Sequence, residues 1–304
     1  MRVETVNVFI LLSQLFYLNM EIEQLQHIAT QVRRDIVRMV HAVNSGHPGG
    51  SLGCTDLLVA LYFDVMRLKR DEQGAAIFDM NATDEDVFFL SNGHISPVFY
   101  SVLARSGYFP VSELATFRKL DSRLQGHPAT AEHLPGIRIA SGSLGQGLSV
   151  ACGAAFAKRL NGDDKHVYVL MGDGEQQEGQ VWEAATFAPH HKLGNLTAII
   201  DFNGQQIDGP TKLVMDNRDL GAKYRAFGWN VTEMNGNDMS DIIKTLKESK
   251  TDAEVPTLIL MKTEMGYGVD FMMGSHKWHG VAPNDAQLAT ALNQLVITAG
   301  SADY

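Results

Sequence analysis

Cysteine is scarce in this chain: Cys54 and Cys152 are the only two in 304 residues, about a hundred positions apart in apolar, helix-like surroundings. That excludes a disulfide framework and a thiolate metal site, and it suits two buried thiols in a reducing compartment. Basic charge is short as well. With 25 Lys and Arg against 35 Asp and Glu the net charge is −10, which argues against nucleic acid or an anionic membrane as a partner, since both reward clustered cations. Any phosphate must be handled locally. Long apolar runs are lacking too. The one near a terminus, VFILLSQLFYL at 8–18, is too short to span a bilayer, with only Arg2 ahead of it and no small-residue cleavage site behind. No secretion signal is expected, and a cytoplasmic location is. The helical pattern begins just after Met20, so 1–20 reads as a dispensable tail. Repeats, low-complexity tracts and linkers are missing, which leaves one domain over 21–290 and a carboxy-terminal tail over 291–304.

What the chain does have is 45% hydrophobic and 20% charged residues, ordinary material for a packed core. Leu25, Ile28, Val32, Ile36, Met39, Val40 and Val43 share one helical face, and 55–66 reads as a more deeply buried helix. Short apolar runs then recur at 86–91, 166–171, 196–201, 229–234 and 256–262, separated by helix-like stretches such as 148–160, 180–188 and 241–249. Apolar strands alternating with helices predict an α/β fold, a doubly wound, mostly parallel sheet with helices on both faces.

In such sheets ligands bind outside the carboxyl ends of the strands. Asp173, between two glycines in VYVLMGDGEQQEGQ, follows one expected strand, and Asn203 in IIDFNG follows the next, thirty positions on. One strand-helix-strand unit therefore brings two oxygen side chains to one crevice, beside a helix start that favours anions. An aspartate, an amide oxygen and a backbone carbonyl form a hard-oxygen set too small to enclose a cation, which suits Mg2+ that keeps positions open for ligand phosphates. The glycines permit close approach to a diphosphate. A Gly-Asp-Gly triplet by itself is usually a turn; the asparagine at the next strand end is what makes the pair a candidate site.

Histidine supplies a second signal. His47, His94, His127, His276 and His279 all stand beside or near Gly or Pro in loop-like positions. One such histidine is more often a satisfied loop residue than a catalyst, but four loops of this kind suggest a polar wall able to move protons on a polyhydroxy or carbonyl substrate. Histidine-only zinc binding is disfavoured, because no pair has i, i+4 spacing.

In this order, SGHPGGSLGCTDLLVALY, LSNGHISPVFYSVLA, LQGHP, SGSLGQGLSVACGAA, GDGEQQEGQVWEAATFA, IIDFNGQQIDG, AFGWNV and GSHKWHG closely resemble the amino-terminal, thiamine-diphosphate-binding domain of transketolase, over about 30–282. The resemblance implies thiamine diphosphate and Mg2+ as cofactors, with Asp173, Asn203 and the backbone carbonyl of Gln205 on the metal and Gly174 at the diphosphate. It implies catalytic roles for His47, His94, His127 and His279, His94 also touching the cofactor, and it favours His279 over His276 through the WHG block. Gly142, Leu144 and Gly145 match a segment near the cofactor. Glu178 and Glu183 match acids at the family's dimer interface that link paired sites, Glu178 being grouped with the cofactor-binding residues. Taken from the residues alone, both acids are simply carboxylates that the helix dipole favours.

Two departures stand out: Gly204 follows Asn203 where the family often has a second Asn, and Asn92 stands where some members carry Lys. Neither removes a metal ligand. Single-chain members continue into a pyrimidine-binding domain and a third domain, and the carboxylate that bonds the cofactor's aminopyrimidine lies there. The expectation is therefore the amino-terminal subunit of a split transketolase, moving a two-carbon ketol unit between sugar phosphates. Its partners would be a second copy of itself and a carboxy-terminal subunit. The alternatives are a subunit of another thiamine-dependent carboligase, an unusual-sugar transketolase, or a non-catalytic cofactor-binding paralogue. The last is disfavoured because Asp173, Asn203, His94 and His279 are all intact.

Overall fold

The computed structural model describes residues 20–250, 252–297 and 302–304. The five apolar runs form one parallel sheet from β1 (Val87–Leu90), β2 (Val167–Gly172), β3 (Leu196–Phe202), β6 (Asn230–Asn235) and β7 (Thr257–Lys262), in the order β1-β2-β3-β7-β6. A separate antiparallel ribbon, β4 (Gln205–Gln206) with β5 (Gly209–Pro210), follows β3 directly. The helices are α1 (Ile22–Ala42), α2 (Pro48–Gly53), α3 (Thr55–Ala60), α4 (Ser96–Arg105), α5 (Gly147–Leu160) and α6 (Gly179–His190). After them come α7 (Thr211–Val214), α8 (Leu220–Phe227), α9 (Met239–Glu248) and α10 (Asp285–Gln294).

Side chains alternate across a strand, so a sheet buried on both faces needs apolar residues at every position. Phe88, Leu90, Tyr168, Leu170, Ile199 and Ile259 point into a core shared with α1, α3, α4 and α9. Val87, Phe89, Val169, Met171, Ala198 and Ile200 point the other way, into a core shared with α5, α6 and α8. The expected doubly wound α/β fold is present. Edge strand β6 is the exception, since Asn230, Thr232 and Glu233 are exposed.

The helix expected over 55–66 is α-helical to Ala60 and then widens into a π-helical turn, Leu61–Val65. The apolar run at 8–18 and nearly all of the expected tail at 1–20 lie outside the described residues. At the other end α10 runs through residue 290, Leu295 is buried, and Asp303 accepts hydrogen bonds from the Arg34 guanidinium on α1 at 2.8 and 2.9 Å. The described part of 291–304 thus packs on the domain. Both thiols are free and buried, and among the described residues no helix is long and apolar enough to cross a membrane.

Candidate active site

Gly172 and Asp201 are register partners, so β2 and β3 end level with one another. Asp173, one residue beyond β2, turns its carboxylate toward the chain leaving β3: Oδ1 accepts from the Gly174 amide and Oδ2 from the Gly204 amide, both at 2.7 Å. Asn203 is oriented from both sides. Its Nδ2 donates to Asp201 Oδ2 at 2.8 Å, and its Oδ1 accepts from the Gln205 amide at 2.8 Å. Asp201 is itself held by the Thr263 hydroxyl and the Cys54 thiol.

Asp173 is 2% exposed, and burial followed by repulsion from Asp201 pushes its carboxyl up to about 7. A desolvated carboxylate beside a second one, with only amide N–H donors for partners, is an electrostatic site for a cation. The neutral oxygens on the adjoining Asn203–Gln205 turn complete a hard donor set, so these residues fit a small divalent ion.

Four histidines from four separate segments meet in one cluster. His47 caps the start of α2, His94 lies in the turn between β1 and α4, His127 precedes the 141–147 loop, and His279 follows β7. Ring centroids are 5.1 Å apart for His47 and His94, 5.5 Å for His47 and His279, 5.0 Å for His94 and His279, and 6.3 Å for His47 and His127. His276 lies outside this cluster.

Burial, reinforced by His279, Arg118 and His127, lowers His47 from 6.5 to about 4. His94, His127 and His279 are lowered for the same leading reason. At neutral pH the cluster is a set of uncharged imidazoles, each able to donate with one nitrogen and accept with the other. Nδ1 of His47 and of His279 is buried without a hydrogen-bond partner among the described residues, as are Asn92 Oδ1 and Gln206 Nε2. Orphaned polar atoms along one crevice mark where a polar ligand would complete the hydrogen bonding.

The loop at 141–147 packs between the histidines and the metal-type turn. A Cβ on Gly142 would lie 3.8 Å from His127 Cβ. Gly145 has φ +83°, and a Cβ there would come within 2.6 Å of Glu178 Cβ, so glycine is needed for both conformation and contact. Leu144 between them is half-buried. On the other side of Asp173, a Cβ on Gly174 would lie 3.4 Å from Gln206 Cβ. Glu178 and Glu183 are exposed on the first turns of α6.

Two contributors went unnoticed in the sequence. Asp201 carried a usable signal, an acid at the end of a mostly apolar strand two residues before Asn203. Arg118, whose charge bears on His47 and His127, carried none. A cavity of about 390 Å3 lies elsewhere, lined by Met80, Asp84, Val87, Arg138, Lys158 and Asp163 among others, and includes no site residue. The three neighbouring acids there, Asp84, Asp163 and Asp164, are paired with Lys158, Lys165 and Arg67.

Residues 24–299 match the family described as transketolase, thiamine diphosphate binding domain, and the chain belongs to that family. Thiamine diphosphate is the cofactor of this domain. The chain is 39% identical to one of the subunits of the apulose-4-phosphate transketolase of Phocaeicola vulgatus, over 91% of its own length and 95% of that protein's. It is 35% identical to a 6-deoxy-6-sulfo-D-fructose transketolase subunit from a Clostridium species, covering 96% of that protein. Against human transketolase, also 35% identical, it spans only 40% of the longer chain. The crystal structure of Campylobacter jejuni transketolase superposes with a TM-score of 0.83 at 32% identity, over 94% of this chain and 44% of that one.

Proposed function

We propose that this chain is the diphosphate-binding subunit of a two-subunit transketolase, which moves a two-carbon ketol unit from a ketose phosphate to an aldose phosphate. The observation that carries the reading is the meeting of four histidines from four separate segments, in a domain where Asp173 and Asn203 lie just past the level ends of β2 and β3. Asp173, Asn203 and the Gln205 carbonyl would hold Mg2+, and Gly174 would admit the diphosphate. Bound thiamine diphosphate supplies the carbanion that ketol transfer requires. His47, His94, His127 and His279 would bind the sugar's hydroxyl and carbonyl oxygens, accepting a proton from a hydroxyl and returning one to a carbonyl oxygen as the carbon–carbon bond breaks or forms. Their depressed basicity supports this, since a protonated cluster could donate but not accept.

Partner dependence is supported by the near-complete coverage of two subunits of similar length, against 40% of a full-length transketolase. Two internal carboxylates could stand in for the partner's, and their surroundings disfavour it: Glu175 is buried under three donors, and Glu264 is exposed two residues beyond β7. An apolar surface for assembly is available on α6 and α8, where Phe187 and Phe227 are 39% and 37% exposed and Trp182 stacks on Phe227 at 6.0 Å. Assembly there would give two copies of this chain and two of its partner.

The test is ketol transfer by the chain alone, and then with the carboxy-terminal subunit, in the presence of thiamine diphosphate, Mg2+, a ketose phosphate and an aldose phosphate. Activity only in the mixture is expected; full activity of the isolated chain refutes the split-enzyme reading. A second reading, a transketolase for an unusual sugar, draws support from the names of the two subunit relatives. A donor panel that adds a branched sugar phosphate and a sulfonated ketose separates the two by kcat/KM.

A further inference from the structure

Glu175 stands one residue after the Gly-Asp-Gly turn and is 2% exposed. Its carboxylate is the meeting point of three chain segments. Oε1 accepts from the Ser91 hydroxyl and, at 2.7 Å, from the Gly145 amide; Oε2 accepts from the Gly172 amide at 2.9 Å. Ser91 extends the network, its Oγ accepting from the Gly147 amide at 3.0 Å. A Cβ on Gly147 would come within 2.3 Å of Ser91 Cβ, so the approach depends on glycine.

Each tethered segment carries a different part of the crevice. Ser91 directly follows β1 and leads within three residues to His94. Gly145 and Gly147 belong to the loop that holds Leu144. Gly172 leads directly into Asp173. β1 and β2 pair directly, up to the Ser91 amide on the Leu170 carbonyl, but among the described residues no backbone–backbone hydrogen bond ties 141–147 to either strand end. The Glu175 carboxylate, together with Ser91 Oγ, is what joins that loop to both.

We propose that Glu175 is a positioning residue whose carboxylate sets the placement of the 141–147 loop relative to the His94 turn and the Asp173 turn. It touches no reacting atom. The chemistry explains why the residue is an acid. Three donors converge on it, and an ionised carboxylate is an acceptor at every site. A glutamine of the same shape would aim its NH2 at either the Gly172 amide or the Ser91 and Gly145 donors, turning one attraction into a donor–donor conflict. The link to cofactor affinity rests on the functional reading above; the link to loop order does not.

The experiment compares wild-type full-length chain with Glu175→Gln and Ser91→Ala. Hydrogen–deuterium exchange by mass spectrometry, without cofactor, covers the peptides around 91–95, 141–149 and 172–178, with β3 as the internal control. Glu175→Gln is expected to speed exchange in 141–149 together with at least one of the other two segments, while β3 stays protected. Ser91→Ala should speed exchange around Gly147 and lower the melting temperature by no more than a few degrees, the cost of leaving one buried amide unpaired.

In the assembled enzyme, calorimetry should find thiamine diphosphate with Mg2+ bound at least about tenfold more weakly by Glu175→Gln, the weight of one unsatisfied buried donor. Turnover at saturating cofactor should recover most of the wild-type value, as a role in positioning demands. Exchange unchanged in 141–149, or turnover lost while exchange and affinity are intact, overturns the proposal. If Glu175→Gln does not fold, Ser91→Ala decides: unchanged protection around Gly147 overturns it, and selective loss there supports it. Failure of the wild-type enzyme to bind thiamine diphosphate would instead refute the functional reading, leaving the exchange result to judge the positioning role.

Discussion

Replacing His47 by Gln should change how the stability of this protein depends on pH, by an amount that follows from its surroundings. Burial, with His279, Arg118 and His127 beside it, lowers His47 from 6.5 to about 4. Between those values the unfolded chain binds a proton that the folded chain refuses. Stability from this group is therefore fully present above 6.5 and is lost as pH falls toward 4. At pH 5 the loss is about 1–2 kcal/mol, after discounting for the partial exposure of the ring. Glutamine does not titrate. The assay is urea unfolding of both proteins, without metal or cofactor, at pH 7.5 and pH 5. Whatever the substitution costs in packing is common to both, so the change in the wild-type-to-variant gap isolates the proton. The gap should move by about 1–2 kcal/mol in favour of His47→Gln at pH 5. His94, His127 and His279 titrate in both proteins and largely cancel. A gap identical at the two pH values would mean that His47 is not held neutral, and the neutral four-histidine wall would fall with it.

Asp173→Ala should abolish Mg2+-dependent binding of thiamine diphosphate with the fold intact, and Asn203→Ala should weaken it less, because a neutral oxygen rather than a charge is lost. Unchanged calorimetric affinity in Asp173→Ala would remove the metal assignment. Asp201→Ala should weaken the same binding by about tenfold to a hundredfold by releasing the Asn203 amide, the usual weight of a group that orients a ligand; an unaltered affinity for Mg2+ in the cofactor complex would refute that role. His94→Ala and His279→Ala in the assembled enzyme should each lower turnover by roughly a hundredfold with little change in melting temperature, so a fully active variant, or one that merely unfolds, would count against proton transfer. Phe187→Glu should impair assembly, read by sedimentation velocity, while leaving the secondary structure of the isolated chain unchanged; normal assembly would place the interface elsewhere.

The strands were legible because buried parallel strands need apolar residues on both faces, a demand satisfied within each run of about six residues. Asp173 and Asn203 were legible because loops at strand ends carry the ligands in this architecture, so their position in the alternation locates them. The four histidines were recognisable through their glycine- and proline-rich surroundings and through family likeness. Their mutual distances were not, since His47 and His279 come from opposite ends of the chain and meet through loop packing. The edge position of β6 and the docking of Asp303 on α1 were also invisible, because both depend on what lies beside a segment rather than within it.

By itself, then, the amino-acid sequence determined the α/β alternation, the two buried thiols and the polar residues at the ends of β2 and β3, all of which follow from local periodicity and local composition. Only the tertiary structure decided how closely the four histidines meet, that Asp201 aims Asn203, and that the Glu175 carboxylate ties the 141–147 loop to two strand ends. Hydrogen bonds between segments 30 to 84 residues apart leave no periodic trace in a sequence, because the geometry that makes them exists only once the sheet has brought the strand ends level.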